Sequence, residues 1–343
     1  MASRSKTAVR ILATPIAFAI ATSGIILTVG TTQAQSIRGE VVTLISPNSA
    51  GGMMTRYARL IAPYITKHSG AADVRIQVMT GGGGIRGTNY VWFAKPDGKT
   101  IAFTSVPSLI LAQLAGSEAA QFDATKLVYL GRAATEPRVL TVGATSEIMT
   151  IADAQNLDRQ FIFPSQGTDE DFYSMAVLSS ALGIELKVVS GYNGNADTTL
   201  AVIKGDGDGH ITGWSASIAV IEAGDERPIL TLSGDRIADY PEIPTATELV
   251  SGESREAVQA IVNMLDMRRG FFGPPGMDPV ATMELRAALS AAFMDPDLIA
   301  ESDKAGLPLL PSDGATEQAK IAQITAASQN IVPILRAALD SIR

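Results

Sequence analysis

Two strand–turn–helix units near the amino end constrain the fold of this chain more than any other feature. The first runs from Val41 to Thr55 and the second from Val74 to Gly87, and each joins an apolar run to a glycine-rich turn. Glycine tolerates positive φ and lets backbone approach a ligand closely. The helix that follows presents unpaired N–H groups and the positive end of its dipole. Two such turns at one edge of an α/β sheet predict a cradle for an anion, most simply a carboxylate or phosphate.

The same alternation of strand and helix patterns continues along the chain. The first two units are predicted as strand Glu40–Ser46, turn Pro47–Gly52, helix Met53–Lys67, strand Val74–Met79, turn Thr80–Gly84 and helix Ile85–Ala94. Later strands are predicted at Lys99–Ser105, Leu127–Ala133, Val139–Val142, Phe161–Pro164, Lys187–Ser190, Gly209–Gly213, Ile229–Ser233 and Arg269–Pro274. Later helices are predicted from Leu109 and over Asp169–Leu182, Asp197–Lys204, Pro279–Phe293 and Glu317–Ile342. This alternation predicts an α/β fold with mostly parallel sheets flanked by helices.

A chain of 343 residues is too long for one small core and suits two lobes. The pattern predicts a discontinuous first lobe of residues 35–137 and 269–343, and a second lobe of residues 138–268. The two crossings then fall near residues 136–142 and 266–272, which suits a hinge with a ligand cleft between the lobes. In such sheets ligands bind at the carboxyl ends of the strands, where the glycine turns lie.

The first 34 residues have the layout of a secretory signal peptide. Basic residues (Arg4, Lys6 and Arg10) precede the uncharged apolar run Ile11–Gly30, and Ala34 closes a small-x-small cleavage site. We therefore expect a cleaved, periplasmic product. Because the apolar run is long enough to span a bilayer, a retained anchor is the alternative. The chain has no cysteine, so the mature protein has neither disulfides nor a cysteine-linked lipid.

Charge and motif content argue against several other classes of protein. The net charge is −8, which argues against nucleic acid and anionic membrane surfaces as partners. The two histidines, His68 and His210, have no spacing typical of a zinc site, and no cofactor is predicted. Gly82–Gly87 matches a dinucleotide-binding fingerprint, but it lies in the second unit and the downstream Asp97 falls in a turn. A turn that needs glycine for conformation alone is the simplest structural alternative.

An exported α/β enzyme acting on a carboxylate is the alternative function. The segment Gly213–Ser217 lacks the final glycine of a nucleophile elbow. Asp206, Asp208 and His210 have the spacing of half a calcium loop without its later ligands. The acidic run Asp169–Asp171 at a predicted helix start fits the helix dipole without a catalytic role.

An ordered set of motifs resembles a known family. The motifs are Pro47–Gly52, Gly81–Gly84, Lys95–Gly98, Gly191–Gly194, Gly205–Gly209 and Gly270–Gly276. In this set the chain resembles the periplasmic solute-binding proteins of tripartite tricarboxylate transporters, the TctC or Bug-type receptors. The resemblance implies a two-lobed, type II-like periplasmic-binding-protein fold of the Venus-flytrap kind. It also implies a monomeric receptor rather than an enzyme, with a small organic carboxylate as ligand and membrane transporter subunits as partners.

The resemblance also implies which residues bind the ligand. Members of the family hold a carboxylate on the two first-lobe turns, largely through backbone N–H groups, and the second lobe supplies selectivity. The implied contacts are Ser46, Asn48, Ser49, Ala50, Gly52, Met53, Met54, Thr55, Gly81, Gly82, Gly83, Gly84, Ser105, Gln166, Thr168, Tyr192 and Asp208. Many members have an acidic residue at the position of Thr55 and a glycine–threonine pair at Met53–Met54. Two methionines add soft apolar surface, so the expected ligand is a dicarboxylate or, because of this surface, a carboxylate with an apolar or aromatic body.

Overall fold

The computed structural model describes residues 1–2 and 36–342. The predicted signal peptide and its anchor alternative lie outside the described residues, apart from Met1 and Ala2. Within the described ranges, no helix is both long and apolar enough to cross a membrane.

Eleven strands and twelve α-helices make up the described chain. The strands are β1 Val41–Ser46, β2 Asp73–Val78, β3 Thr100–Thr104, β4 Val128–Arg132, β5 Arg138–Gly143, β6 Phe161–Ser165, β7 Leu186–Ser190, β8 Gly209–Gly213, β9 Glu226–Leu232, β10 Gly270–Gly273 and β11 Ser312–Asp313. The helices are α1 Met53–Ser69, α2 Ile85–Trp92, α3 Val106–Leu114, α4 Ile151–Gln155, α5 Glu170–Leu182, α6 Asn195–Lys204, α7 Trp214–Glu222, α8 Gly252–Leu265, α9 Pro279–Phe293, α10 Pro296–Ala305, α11 Gly314–Ala327 and α12 Val332–Asp340. Every predicted strand is confirmed, whereas α4, α7, α8 and α10 were not predicted.

The strands form one large sheet and two small ones. The six-stranded sheet has the order β11-β4-β10-β3-β1-β2, and we call the part of the chain built on it the first lobe. The second lobe is built on the three-stranded sheet β8-β5-β9 and the two-stranded sheet β6-β7. Strand β1 runs parallel to β2 and β3, as the strand–turn–helix units require. Helices cover these sheets, so the α/β prediction is confirmed.

The sheets are mixed, which corrects the expectation that each is mostly parallel. Strand β10 is antiparallel to both β3 and β4, and β5 is antiparallel to both β8 and β9. These two strands follow the connections that pass from one lobe to the other. A strand that enters a sheet without its own crossover helix is free to run against its neighbours, whereas a βαβ unit forces parallel pairing.

The chain changes lobes twice, close to the predicted crossings. Strand β4 of the first sheet ends at Arg132, and β5 of the second lobe begins at Arg138. Helix α8 ends at Leu265, and β10 returns to the first sheet at Gly270. The residue-level lobe boundaries given above stay predictions.

Helix α1 shows how local sequence positions the first glycine turn. Gly52 precedes the helix in an extended conformation, and Gly70 ends it with φ 73°. Tyr57, Ile61 and Ile65 lie on one face at helical spacing and are fully buried. Burial of apolar side chains of this size contributes roughly 1.5–3 kcal/mol each. The helix is therefore held against the sheet, and its amino end is fixed at the carboxyl end of β1.

Two apolar cores lie on opposite faces of the first sheet. One joins that sheet to α1 and α9. The other runs from the opposite face through α3, α5 and α12 into the sheets of the second lobe. The tail helices were expected to return to the first lobe. The final helix, α12, instead packs on α5 of the second lobe as well as on α3 of the first.

Candidate ligand-binding cleft

The carboxyl ends of strands from both lobes face each other. A Cβ atom built on Gly83, in the turn after β2, would lie 2.7 Å from the carbonyl oxygen of Thr168, in the turn after β6. A Cβ atom built on Gly194, after β7, would lie 3.8 Å from the Ser49 hydroxyl, after β1. The glycine turns of the first lobe thus meet the turns of the second lobe at two points, and we call the region that these turns border the cleft.

Hydroxyl groups support the first turn, Pro47–Gly52, through hydrogen bonds. The hydroxyls of Ser46 and Thr55 lie 2.7 Å apart, and both residues are fully buried. Thr55 Oγ1 also donates to the carbonyl oxygen of Asn48 at 3.4 Å. Thr104 Oγ1, at the end of β3, donates to Asn48 Oδ1 at 3.0 Å. Ser46 and Thr55, both predicted as ligand contacts, therefore support the turn that carries Asn48 and Ser49.

Four of the six helices that begin at the cleft lack a side-chain cap. No side chain of the described chain accepts a hydrogen bond from their first amides. These helices and their N-cap residues are α1 with Gly52, α2 with Gly84, α3 with Ser105 and α6 with Gly194. The other two differ, because Asp169 caps α5 and Glu136 Oε2 accepts from the Ser215 N–H of α7. Helices that begin elsewhere are mostly capped by Asp or Thr, namely α4, α9, α10 and α11, while α8 and α12 are not. A capping side chain typically contributes about 1 kcal/mol, so four amino ends without one in the same place leave backbone donors for an anion.

Ser105 adds a hydroxyl to these donors. Its side chain is buried, and among residues 36–342 its Oγ has no hydrogen-bond partner. A buried hydroxyl without a partner costs roughly 1–3 kcal/mol, so its persistence at a helix start needs an explanation. A ligand oxygen in the cleft would satisfy it.

The second lobe contributes a chain of amide groups. Gln166 Nε2 donates to Asn195 Oδ1, and Asn195 Nδ2 donates to Thr212 Oγ1 at 2.7 Å. Thr168 and Tyr192 are half-buried at the ends of the neighbouring strands. Asn195 and Thr212 were not predicted. The signal for Asn195 was its place directly after Gly194 at a helix start.

Asp208 does not belong to the cleft, which corrects its predicted role. It lies just before β8, at the opposite end from the glycine turns. Its carboxylate accepts from both terminal nitrogens of Arg159 at 2.6 and 2.8 Å and from the backbone N–H of Ile162 at 2.7 Å. The Gly205–Gly209 run joins a helix to a strand, so it sits at the amino end of the sheet. Asp208 therefore fastens the start of β6 and β8 together.

Three further predicted residues differ from expectation. Met54 is buried in the first-lobe core, so it does not add apolar surface to the cleft. Met53 is half-buried against the same core. Ala50 is exposed, and its carbonyl oxygen accepts from Arg59 at 2.6 Å. The expectation of an aromatic or apolar ligand body, which rested on the two methionines, loses the support of Met54.

A buried network of charges lies behind the cleft, and sequence reasoning missed it. Five of its members are buried, and Glu136 is half-buried. The buried members are Arg138, Glu170, Asp171, Arg268 and Arg269. Arg269 pairs with Glu136, Arg138 with Asp171, and Arg268 Nε with Glu170 Oε1 at 3.2 Å. Asp169 caps α5 by accepting from the N–H groups of Asp171 and Phe172, as the acidic run predicted. The residues on either side of the two lobe crossings supply all three arginines.

The charges of this network depend on one another. Burial raises the pKa of Glu136, but Arg269 and Arg268 outweigh burial and lower that pKa to about 2. Burial, together with the neighbouring charge of Arg268, lowers the pKa of Arg138 to about 9. Burial and the charge of Glu170 raise the pKa of Asp169. Losing one member therefore leaves an uncompensated charge in a dry site.

Acid is expected to destabilise the protein through Glu136. Its pKa is lowered in the folded state from 4.5 to about 2, so this stabilisation is complete above pH 4.5 and is lost as the pH falls toward 2. The full shift corresponds to on the order of 3 kcal/mol. Urea unfolding at pH 7, 4 and 3 measures it. Glu136→Gln should flatten the decline between pH 4.5 and 3, and an identical decline in this variant and the wild type would contradict the assignment.

Two other places in the described chain combine polar and charged groups. A groove of about 640 Å³ lies beside α2 and is lined by Arg86, Tyr90, Phe93 and Lys95 among others, so Arg86 lines this outer groove. His210 lies between Thr198 Oγ1 at 2.9 Å and Glu226 Oε1 at 3.1 Å, but all three residues are buried within the second lobe. This Thr–His–Glu line is closed to substrate and has a structural role. Within the described ranges, no group of three or more His, Cys, Asp or Glu residues is placed to hold a metal ion.

Comparison with known proteins gives a family and a fold. A family model described as the tripartite tricarboxylate transporter family receptor matches residues 57–334. The periplasmic binding protein BugD superposes with a TM-score of 0.70 at 18% identity, covering 86% of this chain and 97% of BugD. MatC of Rhodopseudomonas palustris, solved with malate, gives 0.68 at 18% identity, covering 88% and 99%. Another R. palustris protein, solved with adipate, gives 0.69 at 21% identity, covering 87% and 97%.

Proposed function

Because the chain belongs to the tripartite tricarboxylate transporter receptor family, we propose that it captures a small organic carboxylate between its two lobes and delivers it to a membrane transporter of that type. The observation that carries this proposal is the set of four cleft-facing helix starts without a side-chain cap, those of α1, α2, α3 and α6. The family is a receptor family, so the alternative of an exported enzyme is set aside. Proteins of similar fold were solved with malate and with adipate, which supports a carboxylate ligand.

The first lobe holds one carboxylate group in this proposal. Its oxygens accept from backbone N–H groups at the start of α1 and in the Gly81–Gly84 turn, and from the Ser105 hydroxyl, which has no partner among residues 36–342. The residues involved are Asn48, Ser49, Ala50, Gly52, Met53, Gly81, Gly82, Gly83, Gly84 and Ser105. Helix dipoles rather than a cationic side chain compensate the negative charge, and this explains how a protein of net charge −8 attracts an anion.

The second lobe selects the remainder of the ligand. Gln166, Thr168, Tyr192 and Asn195 border the cleft, and the uncapped start of α6 lies on the same side. Free helix ends on both lobes suit a ligand with a carboxylate at each end. We therefore propose an aliphatic dicarboxylate, bound by closure of the lobes.

The cellular setting follows from the same proposal. The amino-terminal pattern supports a periplasmic location after cleavage near Ala34, and we propose that the receptor acts as a monomer. A receptor of this kind presents the closed, loaded form to its membrane partner.

A thermal unfolding assay with matched ligands tests the function. Adipate and malate are compared with adipamide, which has the length of adipate but no charge. Binding at a hundredfold excess over Kd adds about 2.7 kcal/mol, which for a protein of this size raises Tm by roughly 4 °C. The dicarboxylates should raise Tm, adipamide should not, and the ligand should be recovered chemically unchanged. Equal shifts with the amide and the acid would contradict an anion cradle.

A further inference from the structure

One arginine at the second lobe crossing contacts the starts of two cleft helices through two glutamates. Arg268 Nε donates to Glu170 Oε1 at 3.2 Å, and Glu170 is the first residue of α5. Arg268 Nη1 lies 3.6 Å from Glu136 Oε1. Glu136 Oε2 in turn accepts from the backbone N–H of Ser215, the second residue of α7, at 2.9 Å. The starts of α5 and α7 are thus tied to the same crossing.

The network also reaches the helices of the first lobe. Ser108 in α3 donates to Glu170 Oε2, and the Glu170 backbone N–H donates back to Ser108 Oγ at 3.2 Å. The Arg269 guanidinium lies 4.5 Å from the centre of the Tyr57 ring in α1. One carboxylate oxygen of Glu170 therefore accepts from Arg268 at the lobe crossing, and the other accepts from Ser108 of the first lobe.

Backbone strain marks the same crossing. Arg269 has φ 58°, and no other non-glycine residue in the described part of the chain has positive φ. That conformation costs roughly 1–2 kcal/mol for a residue with a side chain. It persists because the buried side chain is held by Glu136 and Tyr57 on two sides.

The position of Glu170 bears directly on the cleft. It follows Thr168 by two residues, and Thr168 is the second-lobe residue that approaches Gly83 of the first-lobe turn. A shift of the start of α5 would move Thr168 and the neighbouring Gln166 relative to the glycine turn. Replacing a buried ion network by apolar residues is often neutral for stability, so stability alone does not explain this one.

We propose that Glu170 is a positioning residue for ligand capture. Through Arg268 and Ser108 it fixes the Thr168 turn against the Gly81–Gly84 turn, so that affinity depends on a side chain that does not touch the ligand. This inference rests on the proposed function, because it assumes that the ligand binds between these turns.

The test replaces the charge and keeps the shape. Glu170→Gln retains an oxygen for the Ser108 hydroxyl but loses the ion pair with Arg268. Calorimetric titration of this variant with adipate should show a loss of affinity of roughly tenfold or more, within the range typical of coupling between sites. The chain has no cysteine, so fluorophores on cysteines introduced at the exposed positions Gln77 and Lys204 report the distance between the lobes. The distance distribution should broaden in Glu170→Gln.

A matched control separates positioning from stability. Glu317 is buried like Glu170 and lies 3.8 Å from Arg132, but both residues belong to the first lobe. Glu317→Gln should lower stability without changing affinity or the interlobe distance. If Glu170→Gln does not fold, Ser108→Ala takes its place, since it removes one link and leaves every charge.

Two results would overturn the proposal, and a third concerns the function alone. Unchanged affinity together with an unchanged distance distribution in Glu170→Gln overturns it, and so does an equal loss of affinity in Glu317→Gln. If the wild type binds none of the dicarboxylates, the proposed function fails first. The distance distribution of the ligand-free variant then decides: broadening supports the positioning role, and no change refutes it.

Discussion

Gly83→Asp is expected to abolish ligand capture while leaving the fold largely intact. The new Cβ would lie 2.7 Å from the Thr168 carbonyl oxygen, so the two lobes could not approach as they do. The carboxylate would also place negative charge where the ligand carboxylate is proposed to bind. We expect a loss of affinity of more than a hundredfold, which corresponds to about 2.7 kcal/mol or more. Gly52→Asp should act in the same direction, because its Cβ would lie 2.8 Å from Ser49 Oγ within the first turn.

A matched glycine separates this effect from backbone strain. Gly183 ends α5 with φ 71°, close to the 64° of Gly83, and a Cβ built there meets no atom within 4 Å. Gly183→Asp should therefore lose a similar roughly 1–2 kcal/mol of stability and keep full affinity. Titration calorimetry and urea unfolding of both variants provide the comparison. Wild-type affinity in Gly83→Asp would refute the position of the cleft.

Arg138→Met is expected to destabilise the protein by about 3–5 kcal/mol, because it leaves Asp171 buried without its cationic partner. Arg138 is 1% exposed, and its partner lies in α5. Urea unfolding at pH 7 measures the change. Adding Asp171→Leu to the same chain should recover much of the loss, since an apolar pair removes the unpaired charge.

The exposed counterpart is Arg159→Met. Arg159 pairs with Asp208, and its side chain is 41% exposed, so screening by water limits the expected loss to about 1 kcal/mol. Equal destabilisation by the two substitutions would show that burial does not set the strength of these ion pairs.

Much of the fold could be predicted because its signals are local. The run Val41–Ser46, the glycines after it and the apolar stripe of α1 specify strand, turn and helix without help from distant residues. The prediction of an anion cradle rests on the same glycines. Helix α8 also carries a detectable stripe, with Ala257, Ile261 and Leu265 buried at helical spacing, and it was overlooked. Helix α7 is apolar on nearly every side, so periodicity gives it no clear signal.

What the sequence could not show depends on long-range pairing. Glu136 and Arg268 are separated by more than a hundred residues, and neither local sequence indicates that they are in contact. The direction of β5 and β10 depends on which sheet each enters after a crossing. Asp208 was misplaced because glycine-rich runs look alike in sequence whether they precede or follow a strand. Only a run that follows a strand lies at the carboxyl edge of the sheet, and the run that holds Asp208 precedes β8. Met54 was misplaced because one turn of α1 points it into the core.

The corrected positions of Asp208 and Met54 narrow the range of ligands that we expect the protein to bind. With Asp208 engaged by Arg159 and Met54 in the core, the cleft is bordered chiefly by backbone amides, hydroxyls and amide side chains. Such a lining suits a compact polar anion better than an aromatic one. In our proposal, the buried charge network fixes the position of the second-lobe residues of that lining, Gln166 and Thr168 among them.

Calorimetric titration of the purified protein with a series of aliphatic and aromatic mono-, di- and tricarboxylates tests the central claim most directly. We predict 1:1 binding of an aliphatic dicarboxylate, with much weaker binding of its half-amide and none of its diamide. Silence across the whole series from a sample shown to be folded would contradict the claim that free helix ends in this cleft hold a carboxylate.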